Sequence, residues 1–319
     1  MSQVSGVGTT WNLPNYFGEL FTADPVETPF LSYIGGMNGG AMTQNFEFVT
    51  GSEYDFPASA QPAITETASL TAPTATEAVR TQDKNVTQIF QQAVDISYVK
   101  LSNGSRLSGI NTAGEVNNVA NEQAFQIDYN LKIIARNVEY TFLNGTYLIA
   151  TSAAVANKTR GMLELCDDAA STAIAGGSAV LTKAMMDSAF LAMRIAGAKF
   201  TDIIIWASPK QKAKLTSLYV LDQNLPDNRT VGGANLQYII TDFGTFAVAP
   251  MGHKDMPDTD VLIADMAYIK PVTQPVPGMG NMFYEELAKT GASEKGQLFG
   301  QIGLDHGPAF LHGKIEALV

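Results

Sequence analysis

The sequence predicts an α+β fold in which a long extended β-arm projects from a body built around one long helix. Three observations carry that reading. Two alternating stretches flank a segment with no core of its own. A helical apolar stripe runs for six turns or more. A helix–strand block then leads into long strands.

Residues 1–41 read as an arm with an anchor. They contain Pro14, Pro25 and Pro29, a glycine-rich stretch from Gly35 to Gly40, and one short apolar patch, Tyr16, Phe17, Leu20 and Phe21. A helix that short needs a partner to pack on. Residues 42–100 read as the extended β-arm. Met42, Gln44, Phe46 and Phe48 alternate with Thr43, Asn45, Glu47 and Val49, and alternation returns at Val94, Ile96 and Tyr98. Between them, residues 58–79 are dominated by Ala and Thr and lack aromatics and cations, so they cannot bury enough to build a local core. A loop that long is functional or disordered, and the flanking strands argue for function.

Within residues 101–160, Ala120, Ala124, Ile127, Leu131, Ile134, Val138 and Phe142 share one helical face. They predict a helix over about 119–144, with Asn117, Asn118 and Asn121 as N-caps and Asn144-Gly145 as a left-handed stop. Lys132, Arg136 and Glu139 are expected on its solvated or contact face. Residues 161–265 read as an α/β block. Thr182 caps a helix with Met185, Ala189, Ala192 and Ala196 on one face, ended by Gly197. Asp202 to Ala207 is a buried strand, and Ser208-Pro209 starts a helix to about Tyr219. A polar loop from Asp222 to Asn235 precedes strands at 236–242, 244–250 and 261–265. Residues 266–319 read as long strands, with Leu298 to Leu304 alternating before the Gly307-Pro308 turn and Phe310 to Leu318 returning.

The chemistry-bearing residues form no catalytic constellation. Cys166 is the one cysteine, so the fold needs no disulfide, and it is expected to be an inert thiol. His306 and His312 flank Gly307-Pro308 without further ligands at metal-site spacing, and His253 stands alone. Gly291 to Gln297 has phosphate-loop glycine spacing but lacks the Lys-Ser/Thr pair, so a hairpin tip is expected. Asp242-Phe243-Gly244 is expected to be a β-turn. The sequons at Asn85, Asn103, Asn144, Asn157 and Asn228 are expected to be incidental in a Thr- and Asn-rich cytoplasmic chain. The N-terminus reads as lacking a signal peptide, and no apolar run reaches membrane-span length.

The net charge of −11 argues against a general nucleic-acid binder, though not against a protein that encloses DNA. Only 16% of the 319 residues are charged, which leaves a polar, weakly self-repelling surface suited to protein contacts. Arg80 and Lys84 are the only cations among residues 1–99, against ten carboxylates. They are the candidate assembly contacts, expected to meet a neighbour's carboxylates.

Five stretches carry a family resemblance: Leu13-Pro14-Asn15-Tyr16-Phe17-Gly18-Glu19-Leu20-Phe21, Thr28-Pro29-Phe30-Leu31, Ser97 to Asn103, Arg136-Asn137-Val138-Glu139 and Thr159-Arg160-Gly161-Met162. Together with the order of parts, they resemble the major capsid proteins of tailed bacteriophages with the Hong Kong 97-type fold. The resemblance implies an N-arm (1–41), an E-loop (42–100), a P domain (101–160) with a spine helix at about 119–144, an A domain (161–265) and returning P-domain strands (266–319). It implies a non-enzymatic subunit, without cofactor, metal or membrane, that self-assembles into hexamers and pentamers of an icosahedral shell enclosing double-stranded DNA. Virion localisation, assembly in the bacterial host cytoplasm, and portal, scaffolding or decoration proteins as further partners belong to the same implication. An encapsulin-type nanocompartment of the same fold is the alternative.

Overall fold

The computed structural model describes residues 27–54, 56–102, 121–168, 170–223, 228–231, 234–252 and 255–319. The Tyr16–Phe21 patch, Asn103, Asn117, Asn118 and His253 lie outside them. The chain enters through α1 (Pro29–Tyr33) and β1 (Ala41–Met42). β2 (Glu47–Tyr54), α2 (Glu66–Ser69) and β3 (Arg80–Val86) form a ribbon with its tip. β4 (Gln88–Ser97), α3 (Tyr98–Ser102) and α4 (Glu122–Asn144) follow, then α5 (Met162–Leu165), β5 (Thr172–Ala179), α6 (Lys183–Ile195), β6 (Ile203–Ala207) and α7 (Pro209–Gln223). The rest is mostly strand: β7 (Asn228–Val231), β8 (Ala234–Thr241), β9 (Gly244–Pro250), β10 (Val261–Asp265), β11 (Lys270–Thr273), β12 (Met282–Glu286), β13 (Ser293–Asp305) and β14 (Gly313–Leu318).

The long helix is present where its stripe predicts it, about 35 Å long at 1.5 Å per residue. Asn121 caps it, its side-chain oxygen accepting from Ala124 N at 3.2 Å. Ile134, Val138 and Phe142 are buried, whereas Ala124 is exposed and Ile127 and Leu131 are half-buried. The stop at Gly145 is not left-handed: φ is −63° and ψ 138°. Glycine is required there by closeness, since a Cβ would lie 2.4 Å from the Thr141 carbonyl and 2.5 Å from that of Thr159. Lys132 is exposed and paired with Asp128 at 2.6 Å, as a solvated face requires. Glu139 is the exception: it is fully buried.

Two large sheets share this helix and α1. The five-stranded sheet runs β1-β11-β13-β12, with β4 on the other side of β13. Phe90, Leu298, Ile302 and Leu304 from this sheet join Ile134, Val138 and Phe142 of α4 in one core. The seven-stranded sheet runs β5-β14-β10-β6-β9-β8-β7. Its Ile203, Ile205, Val248 and Ile263 pack with Met186, Phe190 and Met193 of α6 and Leu215 of α7. From the same strands Ile204, Trp206 and Leu262 join the α4 core. Burial on both faces explains the unbroken apolar run in β6.

Several expected elements shift. The alternating stretch from Met42 to Val49 falls in two elements of different sheets: β1 pairs with β11 and β2 with β3. The strand that returns the arm is therefore Arg80–Val86, while Val94 and Ile96 lie in β4, paired with β13. Tyr98 begins α3 instead of ending a strand. The buried face of α6 is Met186, Ala189, Phe190 and Met193, one residue round from the expected stripe, with Ala196 exposed. α7 runs on to Gln223, and the expected loop from Asp222 to Asn235 contains β7, which pairs with the start of β8. β14 does not return along β13. It crosses into the seven-stranded sheet between β5 and β10. The Gly291 loop is the β12–β13 hairpin tip and Asp242-Phe243 the β8–β9 turn, as expected.

Candidate assembly site

The ribbon is the part of the body that leaves the core. β2 and β3 pair antiparallel from Glu47↔Val86 to Tyr54↔Arg80, with a bulge at Thr50. Beyond them, residues 56–80 are exposed throughout. The tip has little structure of its own: one turn of helix, capped by the Thr65 hydroxyl accepting from Ala68 N at 3.2 Å. It also carries apolar side chains that are left exposed among the described residues. Phe56 and Leu70 are each 84% exposed, and Ile64 and Val79 are nearly as bare. Tyr54 and Phe56 meet edge-on, 6.5 Å between ring centroids.

The base of the ribbon is held firmly, and Asn85 is the residue that holds it. Its side chain is fully buried. Its amide donates to the Leu304 carbonyl at 2.8 Å and to the Arg160 carbonyl at 3.2 Å. Its oxygen accepts from Arg160 N at 2.8 Å and Val86 N at 2.9 Å. One side chain thus ties β3 to β13 and to the segment after α4. Thr159 adds a bond, its hydroxyl accepting from Leu304 N at 3.3 Å. Gly51 lies against the Gly307-Pro308 turn, where a Cβ would sit 3.1 Å from Pro308 N. Gly161 allows the segment to pass Gly145, whose nitrogen would be 2.5 Å from a Cβ. The Thr159-Arg160-Gly161-Met162 stretch is therefore the seat of the arm, with Met162 in the core. Sequence reasoning missed Asn85, reading it as an incidental sequon. Burial of Asn85 and Thr87 leaves no room for a modified side chain there.

Arg80 and Lys84 both lie on β3, the returning strand of this ribbon. The structure does not bring them together. Arg80 is exposed opposite Tyr54, and Lys84 pairs with Glu47 of its own ribbon at 3.3 Å. An exposed pair of this kind is worth at most about 1 kcal/mol.

The titratable groups buried in the body are structural. His312 accepts from Asp265 N through Nδ1 at 3.2 Å, and its Nε2 donates to the His306 carbonyl at 2.7 Å. His306 Nδ1 bonds the Gly307 carbonyl at 2.7 Å. Burial pushes both imidazoles down to about 4, so each is neutral. Burial pushes the Cys166 thiol up to about 12, which keeps it unreactive. Lys314 on β14, itself nearly buried, pairs with Asp167 at 2.5 Å and Glu316 at 2.7 Å. Among the described residues no cluster of His, Cys, Asp or Glu is arranged to hold a metal ion, and no helix is long and apolar enough to cross a membrane.

An arm-bearing α+β body with a long helix between two sheets is the Hong Kong 97-type capsid architecture, and solved structures of that class superpose on the chain. The cyanophage A-1(L) capsid protein matches with a TM-score of 0.63 at 12% identity, covering 96% of each chain. The capsid of a native GTA particle matches with a TM-score of 0.59 at 11% identity over 100% of both chains. The SrpI encapsulin from Synechococcus elongatus PCC 7942, solved as a holo complex, matches at 0.59 and 9% identity, covering 94% of this chain and 92% of that one. These likenesses establish the fold. Residues 3–319 match the family model described as the SU10 major capsid protein, and the chain belongs to that family. It is a structural, shell-forming capsid subunit. No curated protein matches it by sequence.

Proposed function

We propose that the subunit assembles as hexamers and pentamers into an icosahedral shell around double-stranded DNA. In this reading residues 42–100 act as the E-loop, 101–160 and 266–319 as the P domain, 161–265 as the A domain and 1–41 as an N-arm reaching another subunit. The observation that carries it is the contrast within the ribbon: a base locked by Asn85 and a tip whose apolar side chains are all uncovered. A partner surface is what such a tip lacks. Strand addition or packing on a second copy supplies it. Arg80, and Lys84 through the donors its Glu47 pair leaves free, meet that copy's carboxylates. Family membership favours assembly in a bacterial host cytoplasm, with portal, scaffolding or decoration proteins as further partners. The protein works by contact and encloses its DNA without reading it.

Electron microscopy of the expressed full-length protein tests this. Closed icosahedral shells are expected, with nuclease-protected double-stranded DNA in those recovered from infected cells. A monodisperse monomer under all conditions overturns the reading. The likeness to the SrpI encapsulin supports the second reading, a nanocompartment. Shells carrying a protein cargo and no DNA would select it.

A further inference from the structure

α1 has an unusual N-terminus. Thr28 makes no side-chain cap, and Pro29 at the start has no N–H to give. The first free amides, Phe30 and Leu31, are instead taken by Glu139 of α4, at 3.1 Å through Oε1 and 2.7 Å through Oε2. The partners are more than a hundred residues apart in sequence. A buried carboxylate bonded to two amides at a helix N-terminus is well satisfied in charge and geometry. It is still costly to bury. Desolvation pushes Glu139 up to about 7 despite both bonds, and the nearby Asp255 charge adds to the rise.

The other side of α1 grips the seven-stranded sheet. Phe30 and Tyr33 both meet the Trp206 ring edge-on, at 5.4 and 6.2 Å, and Tyr33 Oη donates to Asp202 at 2.8 Å. Gly35 and Gly36, at φ +100° and +75°, then turn the chain. Eight residues after α1, β1 adds parallel to β11 in the five-stranded sheet. Residues 29–42 therefore touch α4, the seven-stranded sheet and the five-stranded sheet in succession.

We infer that this segment is a brace fixing the angle between the two sheets, and that Glu139 is its positioning residue. A displacement of α1 therefore reaches both sheets. The inference concerns one subunit and does not rest on the shell reading.

Spin labels at A93C on β4 and S217C on α7 report the angle in the full-length, unassembled subunit. Both positions are exposed, and buried Cys166 does not take label. Glu139→Gln keeps the shape but turns one acceptor into a donor facing an amide. It is expected to broaden the inter-label distance distribution and to speed hydrogen exchange of the peptide 28–34 by about tenfold. Val138→Ala is the control, a neighbouring core truncation that weakens the fold but leaves the Glu139 bonds to Phe30 and Leu31 in place. At matched thermal stability it should leave the distribution narrow. Equal distributions in the two variants overturn the inference. Should Glu139→Gln not fold, Tyr33→Phe decides the matter, since it removes the hydroxyl that bonds Asp202 at the surface and leaves Glu139 on the Phe30 and Leu31 amides. Broadening supports the brace, and an unchanged distribution overturns it.

Discussion

In β6 every residue from Ile203 to Ala207 is buried, whereas in β3 only Asn85 and Val86 are. Both are paired strands, but what stabilises them differs. β6 is held by apolar burial on two faces, between α6 and α7 on one side and the α4 core on the other. The ribbon buries almost nothing along its length and is held at one end by polar bonds. A two-stranded ribbon is marginal by itself. Stability in this subunit therefore resides in the body, and the ribbon borrows it through Asn85.

That contrast can be broken by mutation. Phe142→Ala, deep in the body, should cost about 3–5 kcal/mol, read as a lower urea midpoint of the unassembled subunit. Asn85→Ala strands buried groups on Leu304 and Arg160 and should cost roughly 3 kcal/mol. It should also raise protease cleavage within 80–86, which the Phe142 variant at equal stability does not. A smaller effect concerns pH. His306 and His312 titrate near 4 when folded and near 6.5 when unfolded, so the unfolded chain binds more protons in that window. Their contribution to stability is full above pH 6.5 and is lost as pH falls toward 4. Glu139 runs the other way: raised from 4.5 to about 7, it favours the folded state increasingly as pH falls through that range. Two histidines outweigh it, so the melting temperature should fall from pH 7 to pH 5. It should fall more steeply in Glu139→Gln, which lacks the opposing contribution. A shallower slope in that variant would contradict the assignment.

The smallest effect on the subunit is the most telling. Phe56→Ser with Leu70→Ser, both at the exposed tip, should move the urea midpoint by no more than about 0.5 kcal/mol equivalent. Shell formation in the same protein should fail. A large midpoint shift would show that the tip packs on its own body and not on a neighbour.

How far the sequence disclosed this arrangement depended on where each segment's partner lies. α4 was legible because its partners recur every turn along the same stripe, and β6 because burial on two faces needs an unbroken apolar run. β3 was not legible. Arg80-Thr81-Gln82-Asp83-Lys84 has no buried face, so it has no alternation to read. β5, Thr172–Ala179, is a Gly- and Ala-rich edge strand with the same difficulty. Glu139 looked like a surface residue because its amide partners belong to α1, more than a hundred residues away in sequence. Asn85 gave no signal beyond its residue type. Arg80 and Lys84 lie on β3 of the ribbon, and Lys84 already has a partner within it.

The Asn85 anchor also says something about timing. Its carbonyl partners sit 75 and 219 residues further along the chain, on Arg160 and Leu304. Contacts of such long sequence separation form late and slowly, because loop closure must precede them. A chain in which β13 has not yet seated offers Asn85 nothing at Leu304 to hold. Its arm then swings without a fixed root, at a loss of the preorganisation that tight association requires. With the ribbon acting as the proposed assembly arm, competence to join a shell would mature together with the interior of the subunit.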